Sequence, residues 1–193
     1  MNSINTSSIS HADWYRESIA QPEAFWAQQA QKITWFTPPT QTLSTDAQGL
    51  HHWFEGGKLN TCYLAVDYHV ANGRANQTAL IYDSPVTNTI IKFTYAEVQT
   101  QVAKLAGALR NLGVNKGDRV VIYMPMIPET AFAMLACARL GAVHSVVFGG
   151  FAPHELAIRI EDAEPKVVIS ASCGIEFERI LPYKPLLDEA IAI

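Results

Sequence analysis

The sequence has no excess of basic residues and no long apolar run, and each shortage excludes a class of partner. Its 193 residues carry 14 Lys and Arg against 18 Asp and Glu, which gives a formal charge of −4. Because there is no basic tail or stripe, we expect neither nucleic acid nor an anionic membrane as the main partner. The most apolar stretch, residues 131–138, is far shorter than the roughly 20 residues that a membrane-spanning helix needs.

Cysteines are also few. Cys62, Cys137 and Cys173 lie far apart and form neither a Cys-x-x-Cys pair nor a zinc-binding spacing. Such cysteines are typical of reduced intracellular thiols. Residues 1–10 (MNSINTSSIS) have neither the basic start nor the apolar run of a secretory signal. We therefore expect a cytoplasmic protein.

The sequence lacks the short motifs that by themselves identify a common catalytic or nucleotide-binding site. The sequence contains no G-x-x-x-x-G-K-[ST] loop, no G-x-G-x-x-G fingerprint, no G-x-S-x-G turn and no H-E-x-x-H pair. The six histidines are not spaced to hold a metal on one helix, and none neighbours Cys173 as a general base. We therefore expect no metal site and no catalytic residue. An oxidoreductase domain is disfavoured because no dinucleotide fingerprint follows a strand.

The composition, 49% apolar and 17% charged, is that of a globular protein. All four tryptophans lie in the first 53 residues. Ser10 and Pro22 are suited to begin two short helices, Asn60 is suited to cap a third, and an extended connection is expected over residues 40–49. Because such helices cannot enclose a core alone, we predict that residues 1–75 form an irregular helical segment that wraps another domain.

Residues 76–193 alternate between strand and helix patterns. A hairpin over residues 79–93 leads into a helix that begins at the capping box formed by Thr94 and Glu97. Apolar strands are then separated by helices, a pattern that favours an α/β fold with a mostly parallel sheet and helices on both faces. The strands are predicted at residues 119–124, 143–148 and 166–170, and the helices begin at Pro128, Pro153 and Pro185.

The helix predicted from Pro185 runs to Ile193 without a cap or a polar tail. One interpretation is that the chain is cut from a longer fold. The alternative is a final helix that docks on the domain and frays at its end.

Phe148, Gly149, Gly150 and Phe151 follow a predicted strand of the parallel sheet. Ligands of such sheets bind outside the carboxyl ends of the strands. Glycines allow the backbone to approach a ligand, and an exposed phenylalanine can stack on a flat base. The alternative interpretation is a tight turn ahead of the next helix.

Arg179 is the second candidate, since it follows the strand over residues 166–170 and should leave the sheet at the same edge. Its planar guanidinium is suited to a phosphate group. The alternative is a surface ion pair with Glu176 or Glu178, which would contribute little to stability.

A longer match adds to these local signals. Residues 123–129 (YMPMIPE) and 133–151 (AMLACARLGAVHSVVFGGF) resemble the AMP-forming acetyl- and propionyl-coenzyme A synthetases. Residues 53–60 (WFEGGKLN) resemble the opening segment of the same enzymes, and residues 183–190 (YKPLLDEA) resemble the propionyl branch. The resemblance extends from about Trp14 to the end of the chain.

The resemblance implies an acid-thiol ligase that uses ATP, Mg²⁺ and coenzyme A (CoA). A short-chain carboxylate, propionate or acetate, would form an acyl-adenylate with release of pyrophosphate, and the CoA thiol would then displace AMP. Phe148, Gly149 and Gly150 match positions near the adenine end of CoA, and Arg179 matches an arginine that contacts its phosphates. Glu176 stands where the acetyl enzymes have a second arginine, so one phosphate contact is missing.

The family's Thr/Ser/Gly-rich phosphate loop, its aromatic-Thr-Glu motif, its ribose-binding aspartate and its late catalytic lysine have no match in this chain. We therefore expect an N-terminal portion of an incomplete adenylate-forming fold. It would be inactive alone, and the remainder of the enzyme would pack on it. The alternative hypothesis is a stand-alone, non-catalytic α/β module that binds a nucleotide-like ligand or a partner protein.

Overall fold

The computed structural model describes residues 10–176 and 179–193. The described residues form two compact units that divide between Leu59 and Asn60, and each is described by itself. The composition of the sequence suggested a division near residue 75. In the structure the helical segment after Asn60 belongs to the second unit, because Cys62 and Val66 lie in that unit's core.

Within residues 10–59, the first unit contains two helices and a hairpin. Ser10 caps the first helix, as predicted, and its Oγ accepts a hydrogen bond from the Asp13 backbone N–H at 3.2 Å. The extended connection predicted over residues 40–49 is instead a strand and turn of an antiparallel hairpin. Asp46 stabilises the turn, since its Oδ1 accepts bonds from the amides of Gln48 and Leu50 at 2.9 Å. The elements are α1 (His11–Ala20), α2 (Pro22–Ala30), β1 (Gln41–Thr45) and β2 (His51–Glu55).

The second unit begins with a helical segment that contains two wider π-helical turns, Tyr63–Asp67 and Val70–Arg74. Asn60 caps this segment, as predicted, by accepting a bond from the Tyr63 amide at 2.9 Å. Its side-chain amide also donates to the carbonyl of Ala138 at 3.0 Å. Gly73 breaks the helix with a φ of +81°.

An antiparallel hairpin of β3 (Thr78–Ser84) and β4 (Thr89–Thr94) leads into α3 (Tyr95–Asn111). The predicted capping box is present. Thr94 donates its N–H to Glu97 Oε2 at 2.7 Å, and Thr94 Oγ1 accepts from the Glu97 amide at 3.3 Å. Val98, Val102 and Leu109 of α3 are buried, whereas Leu112, which follows its last turn, is exposed.

A three-stranded parallel sheet forms the centre of the second unit, with strand order β6-β5-β7. This confirms the predicted α/β fold with a parallel sheet. The central strand is buried along most of its length, because helices cover the sheet on both sides. The elements are β5 (Arg119–Tyr123), α4 (Pro128–Leu140), β6 (Val143–Val147), α5 (Pro153–Ala163) and β7 (Val167–Ser170).

Alternate residues of β5 enter two different cores. Val120 and Ile122 pack with residues of α3 and α4. Val121 and Tyr123 pack on the opposite face with residues of α5 and of the last helix, α6 (Tyr183–Ala192). This alternation follows from the two-residue period of a strand.

Between β7 and α6 the chain forms a short antiparallel hairpin, β8 (Gly174–Glu176) and β9 (Arg179–Leu181). The sequence pattern predicts no strand in this region. In α6, Leu187 and Ala190 are buried, whereas Ile191 is exposed, as is Ile193 after the helix ends. Within the described ranges, the structure contains no helix long and apolar enough to cross a membrane.

Candidate functional site

The three parallel strands end at one edge of the sheet. Tyr123, the last residue of β5, is in register with Val147 of β6 and with Ser170 of β7. The loops that follow these strands therefore leave the sheet side by side. Such an edge is where open α/β sheets bind ligands.

The loop after β6 carries the predicted aromatic face. Phe148 is 73% exposed, and its ring centroid lies 5.7 Å from that of Phe151. Gly150 has a φ of +89°, a conformation that residues with a Cβ rarely adopt. The bend at position 150 therefore requires glycine, because a side chain would strain this backbone conformation.

Gly149 does not have a positive φ, so its backbone conformation does not require glycine. A Cβ on Gly149 would lie 1.9 Å from Tyr183 Oη, and a Cβ on Gly174 would lie 2.6 Å from Tyr183 Cε2. The Tyr183 ring thus occupies the space beside both glycines. A ligand can approach the Gly149 backbone only from another side.

Tyr123 also contacts the loop that follows β6. Its Oη donates a hydrogen bond to the carbonyl of Phe151 at 3.1 Å, and its ring centroid lies 4.8 Å from that of Tyr183. Burial raises the pKa of Tyr123 and of Tyr183. Both hydroxyls therefore stay protonated at neutral pH, and Tyr123 remains a hydrogen-bond donor.

Arg179 is exposed on β9, where it is in register with Glu176 of β8. Residues two apart on a strand point to the same side, so Arg179 shares a side with Leu181. A Cβ on Gly150 would lie 3.6 Å from Leu181 Cδ1. The structure therefore brings the strand that carries Arg179 against the loop that carries Phe148.

A groove of about 440 Å³ runs beside this loop. The Arg159 guanidinium lies 5.2 Å from the Phe151 ring centroid, within the range of a cation–π contact. Asp162 lines the same groove. The surroundings of the loop thus combine aromatic faces with one positive and one negative side chain.

The donors at this edge fit a nucleotide with phosphate groups better than they fit a metal ion. Phe148 offers a free ring face and Arg179 an exposed guanidinium. Within residues 10–176 and 179–193, no three His, Cys, Asp or Glu side chains gather as a metal site would require.

Tyr123 and Tyr183 were not among the residues expected at the site. The sequence shows one at the end of a predicted strand and the other two residues before Pro185. Those positions indicate that both are near the carboxyl edge. The distances to Gly149 and Gly174 follow only from the folded chain.

The sequence pattern of the AMP-binding enzyme family matches residues 68–190, more than half of the chain. The chain belongs to this family. Residues 11–65 match a second pattern, the acetyl-coenzyme A synthetase N-terminus. The resemblance of residues 123–151 to acyl-CoA synthetases is therefore confirmed.

Named relatives of this chain agree with that assignment. The human acyl-CoA synthetase short-chain family member 3, mitochondrial, is 53% identical over 179 residues, which are 93% of this chain and 26% of the relative. The propionate–CoA ligase of Salmonella typhimurium is 48% identical over 184 residues, 95% of this chain and 29% of the ligase. The chain thus spans less than a third of the length of these relatives.

A solved structure shares the fold. The acetoacetyl-CoA synthetase from Streptomyces lividans superposes with a TM-score of 0.84 at 29% sequence identity. The match covers 94% of this chain and 28% of that one.

Proposed function

We propose that this chain supplies part of the coenzyme A site of an AMP-forming acyl-CoA synthetase. The enzyme would join propionate or acetate to CoA with conversion of ATP to AMP and pyrophosphate, through an acyl-adenylate. The observation that carries this proposal is the exposed Phe148 ring on a glycine bend at the carboxyl edge of the sheet. The name of the Salmonella typhimurium relative supports propionate as the acid.

The roles of the chain's own residues follow from their chemistry. Phe148 stacks on the adenine ring, whose flat face matches an exposed aromatic side chain. Gly149 and Gly150 present backbone rather than side chain to the ligand, and the bend at Gly150 aims that backbone outward. Arg179 binds a phosphate group through its planar guanidinium. Bound ATP supplies the group that makes the carboxylate oxygen a good leaving group.

Glu176 opposes Arg179 across the β8–β9 hairpin. Its negative charge repels phosphate groups and competes for the guanidinium, so it weakens CoA binding at this edge. Glu176→Gln is therefore expected to tighten binding, in contrast to Arg179→Gln.

Adenylation itself is assigned to residues outside this chain. Mg²⁺ is proposed as the partner of ATP, because phosphate charge must be neutralised during attack by the carboxylate. The described residues offer no carboxylate cluster that fits it. The purified chain is expected to show no pyrophosphate exchange with propionate or acetate, and exchange above a no-enzyme control would overturn this assignment.

The CoA assignment is tested by calorimetric titration of CoA into the protein encoded by the complete reading frame. Arg179→Gln and Gly150→Ala are each expected to weaken CoA binding by about tenfold. Arg179→Gln removes roughly one charge-assisted hydrogen bond, and Gly150→Ala removes the bend. Arg110→Gln is the charge-matched control, since Arg110 is exposed at the far end of α3. Unchanged affinity in both test variants would overturn the proposal.

The remainder of the enzyme is proposed to pack on this chain, and the cytoplasm is proposed as its compartment. The apolar residues Val143 and Val146 are exposed on β6, at the edge of the parallel sheet, which supports packing by a further segment. The three cysteines are free thiols, which suits a reducing compartment. Reading the source DNA past codon 193 separates this proposal from a stand-alone binding module: an open frame supports it, and a stop codon favours the module.

A further inference from the structure

One buried ring contacts both segments that carry the proposed CoA residues. Tyr183 is 4% exposed and lies against Gly149 in the loop after β6 and against Gly174 at the start of β8. Gly174 is in register with Leu181 of β9. The ring therefore fills the space between the loop of Phe148 and the hairpin of Arg179.

The two glycines are explained by this ring and not by their backbone. Neither Gly149 nor Gly174 has a positive φ, whereas the neighbouring Gly150 does. A methyl group on Gly149 or Gly174 would overlap the Tyr183 ring, which is held in turn by the Tyr123 ring. Interiors packed this closely do not absorb an added methyl without movement.

We propose that Tyr183 is a positioning residue of the coenzyme A site: its ring sets the spacing between the loop of Phe148 and the hairpin of Arg179, so that both side chains reach one ligand. This inference rests on the CoA function proposed above. It assigns to Gly149 and Gly174 the role of receiving the ring. Gly150 keeps a separate role as the bend.

The test uses kinetics of acyl-CoA formation by the protein of the complete reading frame. Gly149→Ala should raise the KM for CoA by about tenfold, since the added methyl displaces the loop. The KM for ATP should stay within about twofold. A merely unstable enzyme would contain fewer active molecules, which lowers kcat and leaves both KM values unchanged. Gly107→Ala is the matched control, since a Cβ at Gly107 meets no atom within 4 Å.

A second substitution, at Tyr183, tests whether the Tyr183 ring causes the effect of Gly149→Ala. In Gly149→Ala, the close contact is with Tyr183 Oη at 1.9 Å, and the next atom, Cζ, lies at 2.9 Å. Adding Tyr183→Phe to Gly149→Ala removes the hydroxyl and should lower the KM for CoA by about threefold. The recovery is only partial, because Cζ still crowds the added methyl group. Tyr183→Phe should not rescue Gly150→Ala, because the strain at Gly150 is in the backbone.

If Gly149→Ala does not fold, Tyr183→Leu provides the second test. It keeps an apolar side chain in the core but frees both glycines, and should raise the KM for CoA while leaving that for ATP unchanged. An unchanged KM for CoA in Tyr183→Leu, or a double variant no better than Gly149→Ala, would overturn the positioning role. If Arg179→Gln and Gly150→Ala also left the KM for CoA unchanged, the CoA function itself would fail.

Discussion

Arg139 Nη2 donates a 2.6 Å hydrogen bond to Asp67 Oδ2, although the two residues are 72 positions apart in the chain. Asp67 Oδ1 accepts a second bond from Gln99 Nε2 at 2.8 Å. Asp67 lies in the helical segment that opens the second unit, Gln99 in α3 and Arg139 in α4. The Asp67 carboxylate therefore connects the helical segment that opens the second unit with α3 and α4.

Replacing Asp67 should weaken the second unit. Asp67→Asn leaves the Arg139 guanidinium, 26% exposed, without its counter-charge. We expect a loss of about 2 kcal/mol in the free energy of unfolding, between the values for exposed and for fully buried pairs. Urea unfolding followed by circular dichroism measures the change.

The matched control is Glu164→Gln, which removes an exposed ion pair with Arg119 at 3.5 Å. It should change the free energy of unfolding by less than about 0.5 kcal/mol. Equal losses in the two variants would contradict the role assigned to Asp67.

The capping box predicts a pH dependence. The N–H and the hydroxyl of Thr94 hold the pKa of Glu97 below its ordinary value. Because the folded pKa is the lower one, this stabilisation is complete above the unfolded pKa and is lost as the pH falls through the folded pKa.

Glu97→Gln keeps an acceptor for the Thr94 N–H but cannot ionise. The chain should therefore melt at a higher temperature than Glu97→Gln near neutral pH, and the difference should vanish in acid below the pKa of Glu97. Melting curves of both proteins across that range measure it. A difference that does not change with pH would show that the Glu97 charge has no part in the cap.

The cysteines should differ sharply in reactivity. Burial raises the pKa of Cys137 to about 11 and also raises that of Cys62, whereas Cys173 is exposed. Since the thiolate is the nucleophile, iodoacetamide at neutral pH should label Cys173 in the folded chain and all three cysteines after unfolding. Peptide mass spectrometry measures the labelling. Native labelling of Cys137 as fast as Cys173, or labelling that persists in Cys173→Ser, would contradict the buried positions.

The edge of the parallel sheet should make the purified chain self-associate. Val143 and Val146 on β6 are 56% and 48% exposed, and an apolar edge strand pairs readily with other chains. Light scattering should show a mass that rises with concentration, and Val146→Lys should suppress the rise. Leu112→Lys adds the same charge at an exposed site away from β6 and should not. A monodisperse chain would favour the stand-alone module.

The local elements were largely predictable from residue patterns. The caps at Ser10 and Thr94 and the apolar runs of the parallel strands depend on neighbours within a few positions, so they can be read along the chain. The pattern missed the hairpin of β1 and β2, because residues 40–49 do not alternate between apolar and polar types and the pairing with β2 stabilises β1.

What the sequence determined by itself is the order of the parallel strands and of the helices between them, the capping residues and the family resemblance of residues 123–151, since each resides in contiguous residues. Only the tertiary structure decided that Tyr183 fills the space beside Gly149 and Gly174 and that Asp67 meets Arg139. The physical reason is that these contacts join residues far apart in the chain. Their distances depend on how the sheet and its covering helices pack, and no local pattern encodes that packing.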